Sequence, residues 1–122
     1  MAESLRGGVI GAGVFGAYHA RQYARLDGVV LSGVLDTHPD RAAEVALPLG
    51  GRAFHELAAF LEAVDVVTVA SPATLHGEHA LAALAAGKPV YVEKPIALIV
   101  ADAEKIRDVG ARRKLVVACG HQ

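Results

Sequence analysis

Apolar residues along the chain gather in short runs, separated by stretches in which small and apolar residues recur every three or four positions. Val9 and Ile10, preceded by Leu5, make the first run, and residues 29–35 make the second. Residues 64–70 are β-branched and apolar enough for a central parallel strand, and further runs cover residues 90–92 and 115–119. Residues 52–54 read as a short edge strand. Between the runs, helical spacing predicts a helix over 13–26, with Gly13, Ala17, Ala20 and Ala24 as a small-residue face suited to packing on a sheet. A second helix is expected over 39–47, where Pro39 is tolerated in the first turn and Pro48 with Gly50 and Gly51 breaks it. A brief helix follows over 56–61. The segment 75–86 predicts a helix with Leu81, Leu84 and Ala85 inward, ended by Gly87. The last helix, over 99–112, buries Ile99, Ala103 and Ile106.

Strands that alternate with helices imply parallel pairing and right-handed crossovers. Six strands in two β-α-β-α-β halves predict an α/β fold, a Rossmann-type doubly wound parallel sheet with strand order 3-2-1-4-5-6. Neither a linker nor a repeat interrupts the pattern, so residues 1–122 are expected to form one domain. The formal net charge of -1 removes any overall positive field that would recruit nucleic acid or acidic membranes. All apolar runs are strand-sized, too short to span a bilayer, and no signal-peptide core precedes the first strand. Cys119 is the only cysteine, which excludes an intrachain disulfide and suits a reducing cytoplasm. It is expected to close a buried strand as a small hydrophobe.

Candidate chemistry begins at Gly11-Ala12-Gly13-Val14-Phe15-Gly16, which joins the first strand to the first helix. Gly11 permits a tight turn, Gly13 lets backbone approach a pyrophosphate, and Gly16 lets helix and strand pack closely. A pyrophosphate would sit on the amides of the helix N-terminus, with Val14 and Phe15 in that loop. Asp36 ends the second run about 20 positions beyond Gly16, where an acidic residue binds the adenosine ribose. These features predict a dinucleotide site. Asp36 would repel a 2′-phosphate, so NAD is preferred over NADP. Arg41 could pair with such a phosphate but is expected on the exposed face of the second helix.

Three further segments extend the reading: Ser71-Pro72-Ala73-Thr74-Leu75-His76, the run from Ala86 through Glu93-Lys94-Pro95, and the closing Cys119-Gly120-His121-Gln122. With the glycine loop, they closely resemble the N-terminal NAD(P)-binding domain of the glucose–fructose oxidoreductase and inositol dehydrogenase family (Gfo/Idh/MocA). The resemblance covers essentially the whole chain, and Glu93-Lys94-Pro95 is its most specific element. It implies that Gly11, Gly13 and Gly16 hold the pyrophosphate and Asp36 the ribose. It places Ser71, Pro72 and Thr74 on the nicotinamide-ribose side, with His76 opening the next helix. Glu93 and Lys94 would lie beside the nicotinamide, Lys94 reaching the substrate hydroxyl as the catalytic residue. An ammonium there can stabilise a developing alkoxide during hydride transfer. Pro95 would fix this loop, with a cis Lys94–Pro95 bond expected.

The implied activity is hydride transfer between the nicotinamide and a secondary alcohol of a sugar, polyol or similar small molecule. The resemblance implies a continuation into an α+β domain that supplies the substrate pocket and the oligomer interface, and residues 1–122 are not expected to include it. Catalysis by the chain alone is therefore not expected, and the face above the strand ends would be exposed or used in self-association. The alternative is a stand-alone dinucleotide-binding sensor or regulatory module without chemistry of its own. His76 and His79 lack the spacing of a metal-binding pair, and helix capping and a solvated face are expected of them instead. His19, His38 and His55 belong to no motif. Arg112, Arg113 and Lys114 suit a helix C-terminus rather than a nucleic-acid surface.

Overall fold

The computed structural model of the chain describes residues 4–94 and 100–119. Six parallel strands form one sheet: β1 (Leu5–Ile10), β2 (Val29–Leu35), β3 (Arg52–Phe54), β4 (Val66–Val69), β5 (Val90–Val92) and β6 (Val117–Cys119). Their spatial order is β3-β2-β1-β4-β5-β6, as the alternation of the chain implies. The connections are α1 (Val14–Arg25), α2 (Pro39–Ala46), α3 (Leu57–Glu62), α4 (His76–Ala85) and α5 (Val100–Arg113). Short 3-10 turns at Leu47–Leu49 and Ala73–Leu75 adjoin α2 and α4. Ile99, Pro95 with the Lys94–Pro95 bond, and His121 lie outside the described residues.

Side chains alternate across a strand, so adjacent Val9 and Ile10 enter different cores. Val9 packs with Ala20 of α1 and with Ala42 and Ala46 of α2. Ile10 joins Phe60 of α3, Ala80, Ala83 and Leu84 of α4, and Ile106 of α5. A bulge keeps this partition in β2: Gly7 pairs with Leu31 but Gly8 pairs with Gly33, leaving Ser32 as the additional residue. Leu31 and Val34, three positions apart, consequently share one core, while Leu35 enters the other.

Packing keeps Ala20 of α1 and Leu84 of α4 inward, as helical spacing predicts, but rotates both helices so that other expected residues turn outward. In α1 the buried residues are Gly16 and Ala20, whereas Ala24 is exposed and Gly13 and Ala17 are half-buried. The contact at Gly16 sets this rotation, because a Cβ there would stand 1.7 Å from the Gly11 carbonyl oxygen. In α4, Ala80, Ala83 and Leu84 are buried, Leu81 is half-buried and Ala85 is exposed. Residue 85 lies about 100° around the helix from Leu84, turned off the sheet. Cys119 is exposed rather than buried, since β6 is the sheet's edge strand and pairs only with β5 among the described strands. No helix among the described residues is long and apolar enough to cross a membrane.

Candidate functional site

Strand order reverses between β1 and β4, and in open parallel sheets such a reversal opens a crevice at the carboxyl ends of the strands. Gly11 turns out of β1 with φ +105°, and a Cβ on it would come within 2.6 Å of the Ala70 carbonyl oxygen. Both facts demand glycine. The chain then enters α1, whose N-terminus has no side-chain cap and no acidic residue in its first turn. Amides of a first helical turn have no intrahelical acceptor, and the helix dipole favours an anion there.

Gly13 is constrained differently. A Cβ on it would meet only a guanidinium nitrogen of Arg41, at an ordinary 3.7 Å. The protein itself leaves room for a side chain at this position, and that room is part of the crevice. A backbone left bare above an uncapped helix N-terminus fits a pyrophosphate. Gly11, Gly13, Val14, Phe15, Asp36, Arg41, Ser71 and Pro72 all border this cleft of about 350 Å³. Val14 and Phe15 are 82% and 50% exposed, with their side chains at its rim.

Asp36 ties the loop down. Its Oδ2 accepts the Ala12 N–H at 2.8 Å, and its Oδ1 accepts the His38 N–H at 2.8 Å. Burial alone would raise its pKa. The hydrogen bonds from His38 and Ala12, with the charge of Arg41, outweigh that and hold it below the ordinary carboxylate value. A carboxylate offers about four acceptor sites, so Asp36 retains capacity for a ribose hydroxyl while serving as the turn carboxylate.

A second niche of about 220 Å³ adjoins the cleft beyond Asp36, with Leu35, Leu57, Leu75 and His79 among its walls. Its apolar sides suit a flat heterocycle. Ser71 and Pro72 border both cavities. Ser71 is held by two histidines: its carbonyl accepts from His76 Nε2 at 2.7 Å, and its Oγ bonds His79 Nδ1 at 2.8 Å. Burial pushes the His79 pKa down. The expected solvated face is therefore not found: His76 is only 3% exposed and His79 is half-buried. First-turn side chains of a helix lean back toward its N-terminus, which lays both rings over the loop leaving β4.

Beyond β5, the Glu93 N–H donates to the Val69 carbonyl at 3.0 Å, carrying the strand pairing one residue further. The Glu93 carboxylate is buried and pairs with the His19 imidazole of α1. Lys94 follows it, exposed. Thr74, His76, Glu93 and Lys94 line neither of the two cavities. A wider depression, about 650 Å³, lies at the amino ends of the strands beside Arg6, Val30 and Arg52, away from the glycine loop.

Three residues in this region take places that the motif reading does not assign to them. Arg41 reaches over Gly13 rather than lying only on an outer face. His79 anchors Ser71. His19 lies one helical turn after Gly16 on the stripe that α1 turns to the sheet, so helical periodicity from the packed glycine is the signal that finds it.

A family model described as oxidoreductase family, NAD-binding Rossmann fold (GFO_IDH_MocA), matches residues 5–121. The UDP-N-acetylglucosamine 3-dehydrogenase of Acidithiobacillus ferrooxidans is 40% identical over 117 residues, covering 96% of this chain and 37% of that protein. Inositol 2-dehydrogenase 3 of Saccharopolyspora erythraea is 40% identical over 121 residues, covering 96% and 36%. The chain thus spans less than two-fifths of these relatives' length. Among solved structures, the A. ferrooxidans enzyme superposes with TM-score 0.91 at 40% identity, covering 99% of this chain and 39% of that one. GenD2 from gentamicin A biosynthesis, solved in complex with NAD, superposes with TM-score 0.93 at 33% identity, covering 98% and 35%. The glycine turn, the acidic residue at the end of β2 and the sheet order thus meet a family match over nearly the whole chain: it belongs to the Gfo/Idh/MocA oxidoreductase family and forms that family's NAD-binding Rossmann domain.

Proposed function

We propose that this chain is the cofactor half of an oxidoreductase acting on a secondary alcohol of a sugar, polyol or similar small molecule. The observation that carries the cofactor assignment is Gly13, where the protein leaves open the space that a pyrophosphate needs. The amides of Val14 and Phe15 would receive that group, with the Arg41 guanidinium beside it. Asp36 would take the ribose hydroxyls and disfavour a 2′-phosphate. The niche between Leu35, Leu57 and His79 would take the adenine. Ser71 and Pro72, bordering both cavities, would run along the cofactor, with His76 acting indirectly by holding the Ser71 carbonyl.

When bound, the nicotinamide supplies the two-electron redox step. Lys94, at the carboxyl end of β5, would stabilise negative charge developing on the alcohol oxygen. Support for the substrate class comes from the relatives, which include a UDP-N-acetylglucosamine 3-dehydrogenase and inositol 2-dehydrogenases. Those proteins are longer than this chain, and we assign substrate selection to the part of a two-domain protein that it does not span.

Calorimetric titration with NADH, with NADPH as the control, tests the cofactor assignment. NADH is expected to bind and NADPH to bind more weakly. No heat from either, with a folded protein, would overturn it. Lys94→Ala, in a protein that includes the substrate half, is expected to cut turnover by about 10²-fold or more while NADH still binds. Undiminished turnover would remove Lys94 from the chemistry.

A further inference from the structure

We infer that His19 is a positioning residue: through Glu93 it sets the segment carrying Lys94, and so couples the helix that receives the pyrophosphate to the nicotinamide end of the site. The inference rests on the function proposed above and adds a role for a residue outside every motif of the sequence.

Three observations carry it. The Glu93 and His19 side chains are only 6% and 16% exposed, yet both are polar and meet across the gap between β5 and α1. A carboxylate taken this far from water needs hydrogen-bonded partners, and His19 Nε2 supplies one to Glu93 Oε1. The imidazole is itself held, with the Tyr18 ring edge-on at 5.4 Å and the Tyr91 ring tilted at 5.3 Å. Tyr91 stands two residues before Glu93, on the same face of the extended chain. Finally, the Glu93 N–H donates to the Val69 carbonyl at 3.0 Å, so this backbone bond and the side-chain bond to His19 together hold the residue immediately before Lys94.

Helix geometry completes the link. His19 stands about 7–8 Å along α1 from its first residue, Val14, too far to touch a pyrophosphate at the helix N-terminus. The hydrogen bond to Glu93 is the link through which it reaches the segment carrying Lys94. The backbone at Gly16 lies so close to Gly11 that a Cβ would stand 1.7 Å from its carbonyl oxygen, which ties the helix carrying His19 to the glycine loop. A merely structural tie between α1 and the sheet would stabilise the whole domain evenly. A positioning role acts selectively at the nicotinamide end.

ADP-ribose, which shares every group with NADH except the nicotinamide, separates the two. Both ligands would be titrated against wild type, His19→Phe, which keeps a ring but loses the bond, and His19→Gln, which keeps an N–H donor. His19→Phe is expected to weaken NADH about tenfold and ADP-ribose less than about twofold, with His19→Gln recovering most of the loss. Glu93→Leu, which keeps the bulk but removes both acceptor oxygens, serves as a second variant should His19→Phe not fold, with the same selective loss expected. Equal losses for the two ligands, or none for either, would overturn the inference while leaving cofactor binding intact. A folded wild type that binds neither ligand would instead overturn the cofactor assignment itself.

Discussion

Gly13 and Gly16 look equivalent in the motif but answer to different neighbours. A Cβ on Gly16 would lie 1.7 Å from a backbone oxygen, whereas one on Gly13 would meet nothing closer than 3.7 Å. Gly16→Ala is therefore expected to cost about 3 kcal/mol, at the upper end of overpacking effects, seen as a lowered denaturation midpoint. Gly13→Ala should keep a near-wild-type midpoint while losing NADH affinity in a titration. Asp36 carries the acid sensitivity of the same loop. Its folded pKa lies below the ordinary value of about 3.9, so its stabilising contribution is complete above that value and is lost as pH falls through the folded pKa. Asp65 shifts the same way, held down first by its side-chain hydrogen bond to Arg6, but that pair is more exposed, at 36% for Asp65 against 10% for Asp36. Thermal melts should show Tm falling below about pH 4, and Asp36→Asn should flatten much of that fall.

At the scale of elements, α3 is the shortest helix of the five described yet covers a crossing point. Phe60 is fully buried and fills the space above two glycines: a Cβ on Gly8 would come within 2.6 Å of its ring, and one on Gly33 within 3.3 Å. Strand and helix have matched volumes here, bare backbone beneath a large ring. Phe60→Ala should accordingly cost about 3–5 kcal/mol, read from chemical denaturation, since two glycines cannot move in to fill the cavity. Element identity was legible because runs and helical spacing repeat along the whole chain. Element rotation was not. The small residues of α1 suggested a face through Gly13, Ala17, Ala20 and Ala24, of which only Ala20 is buried, beside the packed Gly16. Likewise the bulge at Ser32 leaves no mark in the composition of β2, because it is defined by pairing with β1.

For the molecule as a whole, cofactor binding and stability are linked by mass action. NADH at about 100 times its dissociation constant would add about 2.7 kcal/mol. In a domain of this length that raises Tm by roughly 10 °C, and a scan with and without NADH checks it. NADPH at the same concentration should raise it less if Asp36 takes the ribose hydroxyls as proposed. The sheet order, by contrast, needs no ligand to explain it: right-handed crossovers leave few ways to arrange two β-α-β-α-β halves, and both halves meet at β1 and β4 beneath the glycine turn.

The amino-acid sequence by itself determined the α/β class, the strand order and the glycine turn after β1 with Asp36 after β2. Each depends on local backbone preference or on spacing along one segment, and those are written in adjacent residues. Tertiary structure decided what lies across a gap. Only packing brings Arg41 over Gly13, seats His76 and His79 around Ser71, and joins His19 to Glu93, 74 positions away. Such contacts depend on the rotation and register of whole elements. Those are set by where backbones can approach and where buried polar groups find partners, conditions that no single stretch of chain contains.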